Sequence, residues 1–330
     1  MRLLIVGGTQ FVGRHITEAA LRNGHDVTLL HRGRTGADLF PEAAHVLADR
    51  DGDLSGLAGR RFDATIDVSA YRPEQVRRLA AALGEPGQYV FISSVSAYDQ
   101  PPPGFAEDGP LYEPNDTDYG PLKVACERAA AEVFGPGTLI VRPTYVIGPH
   151  DHLVRFTWWV ERIARGGEVL APGRFEEPIQ YIDARDMAAW ILAMAEAGRP
   201  GVFHAAAPAW RPAKPFSFGD LLEAVRDAVG PPGTTLTWVD PQFLLERGLT
   251  GEELPLWPAP DPDAAVNAAD PSAAFAAGLT PRPLADTIRD CLADGRANPR
   301  EAPQRLGAGR EAELLREWSG GSGSSGSGQR

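Results

Sequence analysis

Short apolar runs closed by glycine or charge, each followed by a stretch of helical spacing, set the rhythm of this chain. "LLIVGG" near the N-terminus is a continuous apolar run ending in glycine, the mark of a strand buried on both faces. "RHITEAALRNG" repeats its apolar positions at helical intervals and stops at Gly24. "DVTLLHR" is a second strand, so the first 32 residues read strand, glycine turn, helix, strand, which is a βαβ unit. The alternation continues. "HVLAD", "FDATIDVSA" and "QYVFISS" read as strands, "RPEQVRRLAAALG" as a helix with Pro73 near its start, residues 119–133 as an alanine-rich helix, and "GTLIVRPTYVIGP" as the next strand. The pattern predicts an α/β protein with a Rossmann-type doubly wound parallel sheet.

Beyond about residue 150 the alternation loosens. "HLVRFTWWVERIARGG" looks helical, "PIQYIDARDMAAWILAMAEAG" reads as strand, turn and helix, and "GVFHAAA" as a further strand. Residues 208–300 mix proline-rich loops with helices such as "FGDLLEAVRDAVG". The expected division is a dinucleotide-binding domain over 1–150 that residues 179–205 rejoin, and a smaller, partly interleaved substrate domain over 151–178 and 206–305. A C-terminal helix and a flexible tail, "GGSGSSGSGQR", fill 306–330. No internal repeat is present.

Composition narrows the function classes. The chain has 330 residues, 43% of them hydrophobic, enough for one large or two closely joined domains. Its net charge of −12, from 44 acidic and 32 basic residues, opposes non-specific binding to nucleic acid or anionic membrane. No apolar run approaches a membrane span, and "MRLLIVGGTQ" is not a signal peptide. Cys126 and Cys291 lie far apart without metal-ligand spacing, so no metal is expected and a reducing cytoplasm is the natural compartment.

"GGTQFVG" follows a strand and opens a helix, the context of a dinucleotide-binding turn. Gly7 and Gly8 let the chain turn, Gly13 lets the helix approach the sheet, and the helix N-terminus offers N–H groups and a positive dipole end to a pyrophosphate. The expected contact set is Gly7, Thr9, Gln10, Phe11, Val12 and Gly13. Gln10 stands where this motif usually has its second glycine, which puts a side chain near the phosphates. At the end of the second strand an acidic residue would bind the ribose hydroxyls of NAD, whereas arginine suits the 2′-phosphate of NADP. The chain has His31, Arg32, Gly33 and Arg34 there, which favours NADP over NAD; the competing reading of Arg32 and Arg34 is solvated loop charge. Asp49, after the third strand, is a candidate partner of the adenine amine, or a plain turn aspartate.

"YGPLK" puts Tyr119 and Lys123 four residues apart, on one face of a helix. An ammonium beside a phenol stabilises the phenolate and lets the tyrosine act as acid or base near neutral pH. With "GGTQFVG", "FISSVSAY", "VRPTYVIGP" and "YIDARDMA" in this order, the chain resembles an extended short-chain dehydrogenase/reductase of the NAD-dependent epimerase/dehydratase type, over about residues 1–300.

The resemblance implies a catalytic set of Ser94, Tyr119 and Lys123, with Ser93 the weaker candidate for the hydroxyl. Ser94 would hydrogen-bond the substrate oxygen, Tyr119 would give or take its proton, and Lys123 would hold the nicotinamide ribose and depress the Tyr119 pKa. Pro143 and Thr144 would approach the nicotinamide amide, and Val68, Ser69 and Ala70 would line the cofactor ribose. Relatives that dehydrate sugar nucleotides carry Asp-Glu after the serine; Val95 and Ser96 stand there, so 4,6-dehydration is not expected. Ser96 occupies the place of the cysteine of epimerase–reductases, and Tyr145 that of the asparagine of "RxxN", which weakens a nucleotide-sugar substrate. What remains is carbonyl/alcohol redox chemistry, or epimerisation through a transient ketone, on a small polar or sugar-like molecule.

Substrate-side candidates are Ser96, Tyr145, His150, Gln180 and Arg185. Asp151 and His152 flank His150 without completing a metal set, Asp186 reads equally as a helix N-terminal charge, and Trp158, Trp159 and Cys126 read better as packing. The expected partner is a small molecule, with neither nucleic acid nor membrane; the resemblance also implies a homodimer through a helix pair that includes the "YGPLK" helix. The alternatives are a non-catalytic dinucleotide sensor and an RNA-binding relative on the same fold, the first disfavoured by the intact Tyr119 and Lys123, the second by the net charge.

Overall fold

The computed structural model describes residues 1–257, 266–302 and 304–322. The chain divides into two units. The first comprises Met1–His150, Gln180–Ala213 and Ala265–Arg282; the second comprises Asp151–Ile179, Lys214–Ala264 and Pro283–Arg330. Residues 206–213 and 265–282 therefore belong with the first unit, a correction to the division expected from the sequence.

The first unit alternates β1 (Arg2–Val6), α1 (Phe11–Arg22), β2 (Asp26–His31), β3 (Ala44–Leu47), β4 (Ala64–Asp67), α2 (Pro73–Ala82), β5 (Gln88–Ile92), α3 (Tyr119–Phe134) and β6 (Leu139–Pro143). It continues with β7 (Tyr145–Ile147), β9 (Tyr181–Asp183), α5 (Ala184–Glu196), β10 (Gly201–Ala205) and α8 (Ser272–Ala276). Seven strands form a parallel sheet in the order β10-β6-β5-β4-β1-β2-β3. Leu3, Leu4 and Ile5 are fully buried, as a strand covered on both faces requires. In register, Val6 pairs Leu30 on one side and Asp67 on the other. The strand order reverses between β1 and β4, and a doubly wound sheet binds its ligand outside the carboxyl ends at that switch point.

Two strands differ from expectation. "TYVIGP" leaves the main sheet as β7 and pairs with β9, Tyr145 against Tyr181. β9 passes directly into α5 without the expected turn, because Asp183 caps the helix by accepting from the Arg185 N–H. Only β10 rejoins the main sheet, beside β6.

The second unit holds α4 (Arg155–Ala164), β8 (Glu168–Pro172), α6 (Phe218–Val229), β11 (Thr235–Val239), α7 (Pro241–Leu245), α9 (Leu284–Ala297) and α10 (Ala308–Ser322). β8 and β11 form a parallel pair where only loops and helices were expected. Trp159, fully buried, meets Phe218 edge-on at 5.6 Å, so the tryptophan pair of α4 is core packing. The expected C-terminal helix is α10, whose buried Glu311 accepts from Arg162 Nε at 2.6 Å and from the Leu170 N–H at 3.0 Å. The expected flexible tail beyond Ser322 lies outside the described residues. No helix among the described residues is long and apolar enough to cross a membrane.

Candidate active site

The candidate site is built from residues of the first unit. The glycine turn joins β1 to α1. A Cβ on Gly13 would lie 1.9 Å from the Gly7 carbonyl oxygen, so only glycine allows the helix to start this close to the turn. Thr17 fastens the same place, its hydroxyl donating to the carbonyls of Gly8 and Gly13, each at 2.9 Å. Thr9 and Phe11 are buried, whereas Gln10 is exposed, sits at the helix N-cap with extended backbone and makes no side-chain cap. The turn is thus closed by backbone and Thr17, with the Gln10 side chain outside it.

At the end of β2, His31 turns inward. Its Nδ1 accepts from the Gly33 N–H at 3.2 Å, so its Nε2 carries the proton and donates to His45 Nδ1 at 2.8 Å. His45 Nε2 then donates to the Phe40 carbonyl at 3.0 Å. The His31 side chain is therefore committed to the protein. Arg32 and Arg34 are exposed, and neither has an ion-pair partner among the described residues. Asp49 is exposed and accepts from the Asp51 N–H at 3.0 Å, an Asx turn.

The histidine chain works only with both rings neutral, and burial together with His45 pulls the His31 pKa below the ordinary histidine value. His31 takes up a proton less readily folded than unfolded, so its contribution is intact above about pH 6.5 and is lost as pH falls below it. The melting temperature is expected to drop more between pH 7.5 and 5.5 for the wild type than for His31→Leu. Equal drops in the two proteins, followed by calorimetry, would sink this account.

Ser94 ends the loop after β5; its Oγ accepts from the Ser96 N–H and donates to Ser96 Oγ, both at 3.1 Å. Tyr119 is the first residue of α3 and is 49% exposed; Lys123, one turn on, is 3% exposed. Gly120 explains how the two segments meet. A Cβ there would lie 2.0 Å from the Ser96 carbonyl oxygen, so the first turn of α3 rests directly on the serine loop. Lys123 Nζ donates to the carbonyls of Ala70, at 3.0 Å, and Ile92, at 3.1 Å. Burial pulls its pKa down to about 8. Ala70, one of the residues expected to line the ribose, is thus also an anchor of Lys123, a role that sequence spacing does not reveal.

Behind the site lie two buried polar clusters. Arg50 grips Asp67 with both terminal nitrogens at 2.7 Å and also reaches Ser69 Oγ at 3.1 Å. Burial alone would raise the Asp67 pKa, but Arg50, Tyr89 and the Ser69 N–H hold it below the ordinary carboxylate value. Arg142 pairs with Glu127, which also takes the Ser93 hydroxyl. Arg142 Nη1 donates to Tyr98 Oη at 2.6 Å, and Tyr98 Oη to His204 Nε2 at 2.6 Å. His204 Nδ1 donates to the Asp270 carbonyl at 2.9 Å. The Ser93 hydroxyl is therefore committed to Glu127 inside the protein.

Among the other predicted residues, Thr144 Oγ1 is buried with no hydrogen-bond partner. Such an orphan next to Pro143 fits an acceptor or donor brought by a bound carboxamide. Val68 follows β4, Tyr145 lies on β7, and His150 has φ +66° with its ring stacked on His15 at 5.7 Å. Arg185 bonds the Asp183 carboxylate, and Asp186 bonds Arg282. Gln180 corrects the expectation of a substrate contact. It is 3% exposed, and both ends of its amide pair with the Ala269 backbone, at 2.9 and 2.8 Å. An amide side chain matches a backbone edge, and here it pins residues 266–270 into this unit. Cys126 is buried, and desolvation pushes its thiol up to about 12, consistent with packing.

A seven-stranded parallel sheet of this order, a glycine turn after its first strand and a serine–tyrosine–lysine set at its carboxyl edge make up the plan of an extended short-chain dehydrogenase/reductase. The profile of the NAD dependent epimerase/dehydratase family matches residues 3–206, and the chain belongs to that family. It is 26% identical over 209 residues to the chloroplast stem-loop binding protein of 41 kDa b of Arabidopsis thaliana, covering 58% of this chain and 54% of that protein. The match thus spans about half of that relative's length. Among solved structures, a putative epimerase from Burkholderia cenocepacia J2315 superposes with a TM-score of 0.69 at 21% identity, covering 90% of this chain and 98% of that one. A UDP-glucuronic acid 4-epimerase from Bacillus cereus, solved in complex with NAD, gives 0.65 at 16% identity over 92% and 100%. At these identities the likeness concerns the fold.

Proposed function

We propose that the protein is an NAD(P)-dependent oxidoreductase or epimerase that moves a hydride between nicotinamide and a carbonyl or alcohol carbon of a small polar or sugar-like molecule. The observation that carries this reading is a buried ammonium, Lys123, one helical turn from a half-exposed phenol, Tyr119, on a helix seated against the Ser94 loop. Ser94 holds the substrate oxygen, and Tyr119 gives or takes the proton on it. Lys123, with two of its N–H bonds already fixed by Ala70 and Ile92, directs the third toward the cofactor ribose and stabilises negative charge on the phenol. A bound nicotinamide supplies the hydride chemistry, and the protein supplies position and electrostatics. The glycine turn and the orphaned Thr144 hydroxyl fit such a cofactor.

NADP is the preferred form because Arg32 and Arg34 offer two uncommitted guanidinium groups where a 2′-phosphate would lie. Val95 and Ser96 argue against dehydration. A small-molecule substrate and a reducing, cytoplasmic setting suit the two buried cysteines, which form no disulfide, and the net charge of −12, which also argues against the nucleic-acid binding that the stem-loop relative's name suggests.

Calorimetry with NADP⁺, NADPH, NAD⁺ and NADH tests the reading. Selective binding of one pair supports it and opens a screen of ketones, alcohols and sugar nucleotides at the reduced-nicotinamide absorbance. Binding of none of the four, together with salt-sensitive binding of an RNA stem-loop, would replace the enzyme by the nucleic-acid reading. Arg32→Ala is expected to cut the NADP/NAD affinity ratio about 10- to 100-fold, the worth of one charge-assisted bond. An unchanged ratio would remove the basis for preferring NADP.

A further inference from the structure

The chain holds only two lysines, Lys123 and Lys214. Lys123 is buried, and among the described residues no carboxylate lies within ion-pair distance of it. Its charge is therefore met by dipoles and rings: the carbonyls of Ala70 and Ile92, and the faces of Phe91 and Tyr71, each with its centroid 4.9 Å from Nζ. Phe91 is fully buried and covers the inner side. Tyr71 is 54% exposed and covers the side toward water.

We infer that Tyr71, outside the serine–tyrosine–lysine set, is a positioning residue whose ring face holds the Lys123 ammonium beside Tyr119 and keeps it charged where the site works. A ring face attracts a desolvated cation most strongly when no counter-ion competes, which is the case at Lys123. The ring is itself held. The Tyr71 N–H donates to Gln75 Oε1 at 2.9 Å, and Gln75 Nε2 grips the Asp51 carboxylate at 3.0 and 3.1 Å. Gln75 is buried, so this clamp links the loop after β3, which carries Asp49, to the ring over Lys123. The Tyr71 and Tyr119 rings stand 6.5 Å apart, and Nζ lies 5.7 Å from the Tyr119 ring. Tyr71 and Tyr119 are thus neighbours on one flank of the ammonium, which lies near both rings.

The remaining groups that face the ammonium are Cys126 and Glu127 on α3, Asp67 at the end of β4, and Arg50 from the loop after β3. Substitution at Tyr71 leaves all of them in place. The catalytic consequence rests on the function proposed above, but the test does not. The full chain is labelled with ¹⁵N-lysine, which yields two side-chain signals, one of them from the exposed Lys214 as an internal control.

Lys123 is expected to titrate near about 8 in the wild type and equally in Tyr71→Phe. In Tyr71→Leu, which keeps apolar cover but has no ring quadrupole, the midpoint is expected to fall by about one pH unit, a tenfold rise in the proton dissociation constant. Pentafluorophenylalanine at position 71 keeps the shape, reverses the quadrupole and is expected to act as leucine does. A leucine or pentafluoro variant that titrates with the wild type would overturn the inference, as would a phenylalanine variant that falls with leucine. If dinucleotides fail to bind while the leucine shift appears, the enzyme reading falls and the Tyr71–Lys123 coupling stands.

Discussion

Tyr119→Phe is expected to lower kcat by roughly 10²- to 10⁴-fold with little change in KM, the loss that follows removal of a positioned acid–base group. The fold should be indifferent to the change, because the ring is half exposed and the missing hydroxyl belongs to a side chain at the edge of α3. The pH profile supplies a second, independent handle. In the proposed mechanism Lys123 is charged when it holds a ribose hydroxyl and stabilises negative charge on the phenol. With burial drawing its pKa down to about 8, turnover should decline as pH rises through that value. Stability should move the other way. The unfolded lysine binds its proton up to about 10.5, so burial of the ammonium costs the fold most below pH 8, and this cost is relieved between about 8 and 10.5. Turnover retained in Tyr119→Phe, measured with a substrate found by the dinucleotide screen, would refute the proton-transfer role.

What the chain disclosed in advance followed from local spacing. The glycine turn, the tyrosine–lysine pair and most of the parallel strands are written in runs of ten or so residues, where burial on both faces or one face of a helix imposes a readable period. The features that escaped are partnerships across the chain. Gln180 looks like a cleft residue until Ala269 is seen to occupy its amide, 89 residues away. The Ala70 carbonyl and Tyr71 belong to a loop whose conformation no short pattern encodes, and the His45 acceptor of His31 lies on β3, 14 residues further along the chain. β8 and β11 pair with each other across more than sixty residues, and "TLTWV" lies amid proline-rich sequence that masks a five-residue strand. Gly120 was legible only as part of a motif; its reason, the Ser96 carbonyl against α3, is a close approach between two segments.

Glu127→Leu is expected to destabilise the protein by about 3–5 kcal/mol, because it strands the Arg142 guanidinium in a site where that side chain is only 3% exposed. For a chain of this size the melting temperature should fall by roughly 4–7 °C, read by calorimetry. The double variant Glu127→Leu/Arg142→Leu removes both charges, and most of the lost stability should return, since a buried ion pair and a well-packed apolar pair are close in energy. Activity should not return with it. Glu127 takes the Ser93 hydroxyl at 2.5 Å, and Arg142 holds Tyr98 at 2.6 Å and the Glu107 carbonyl at 2.8 Å, so the pair fixes both ends of the segment that carries Ser94. An apolar replacement fills the volume but leaves Ser94 without that frame, and the misplacement of a catalytic hydroxyl by even about 1 Å costs on the order of a hundredfold in rate. A double variant that regains stability and full kcat would reduce the cluster to packing. One that regains stability alone would assign the buried charges to the geometry of Ser94, which is the reason a costly ion pair stands behind a serine loop.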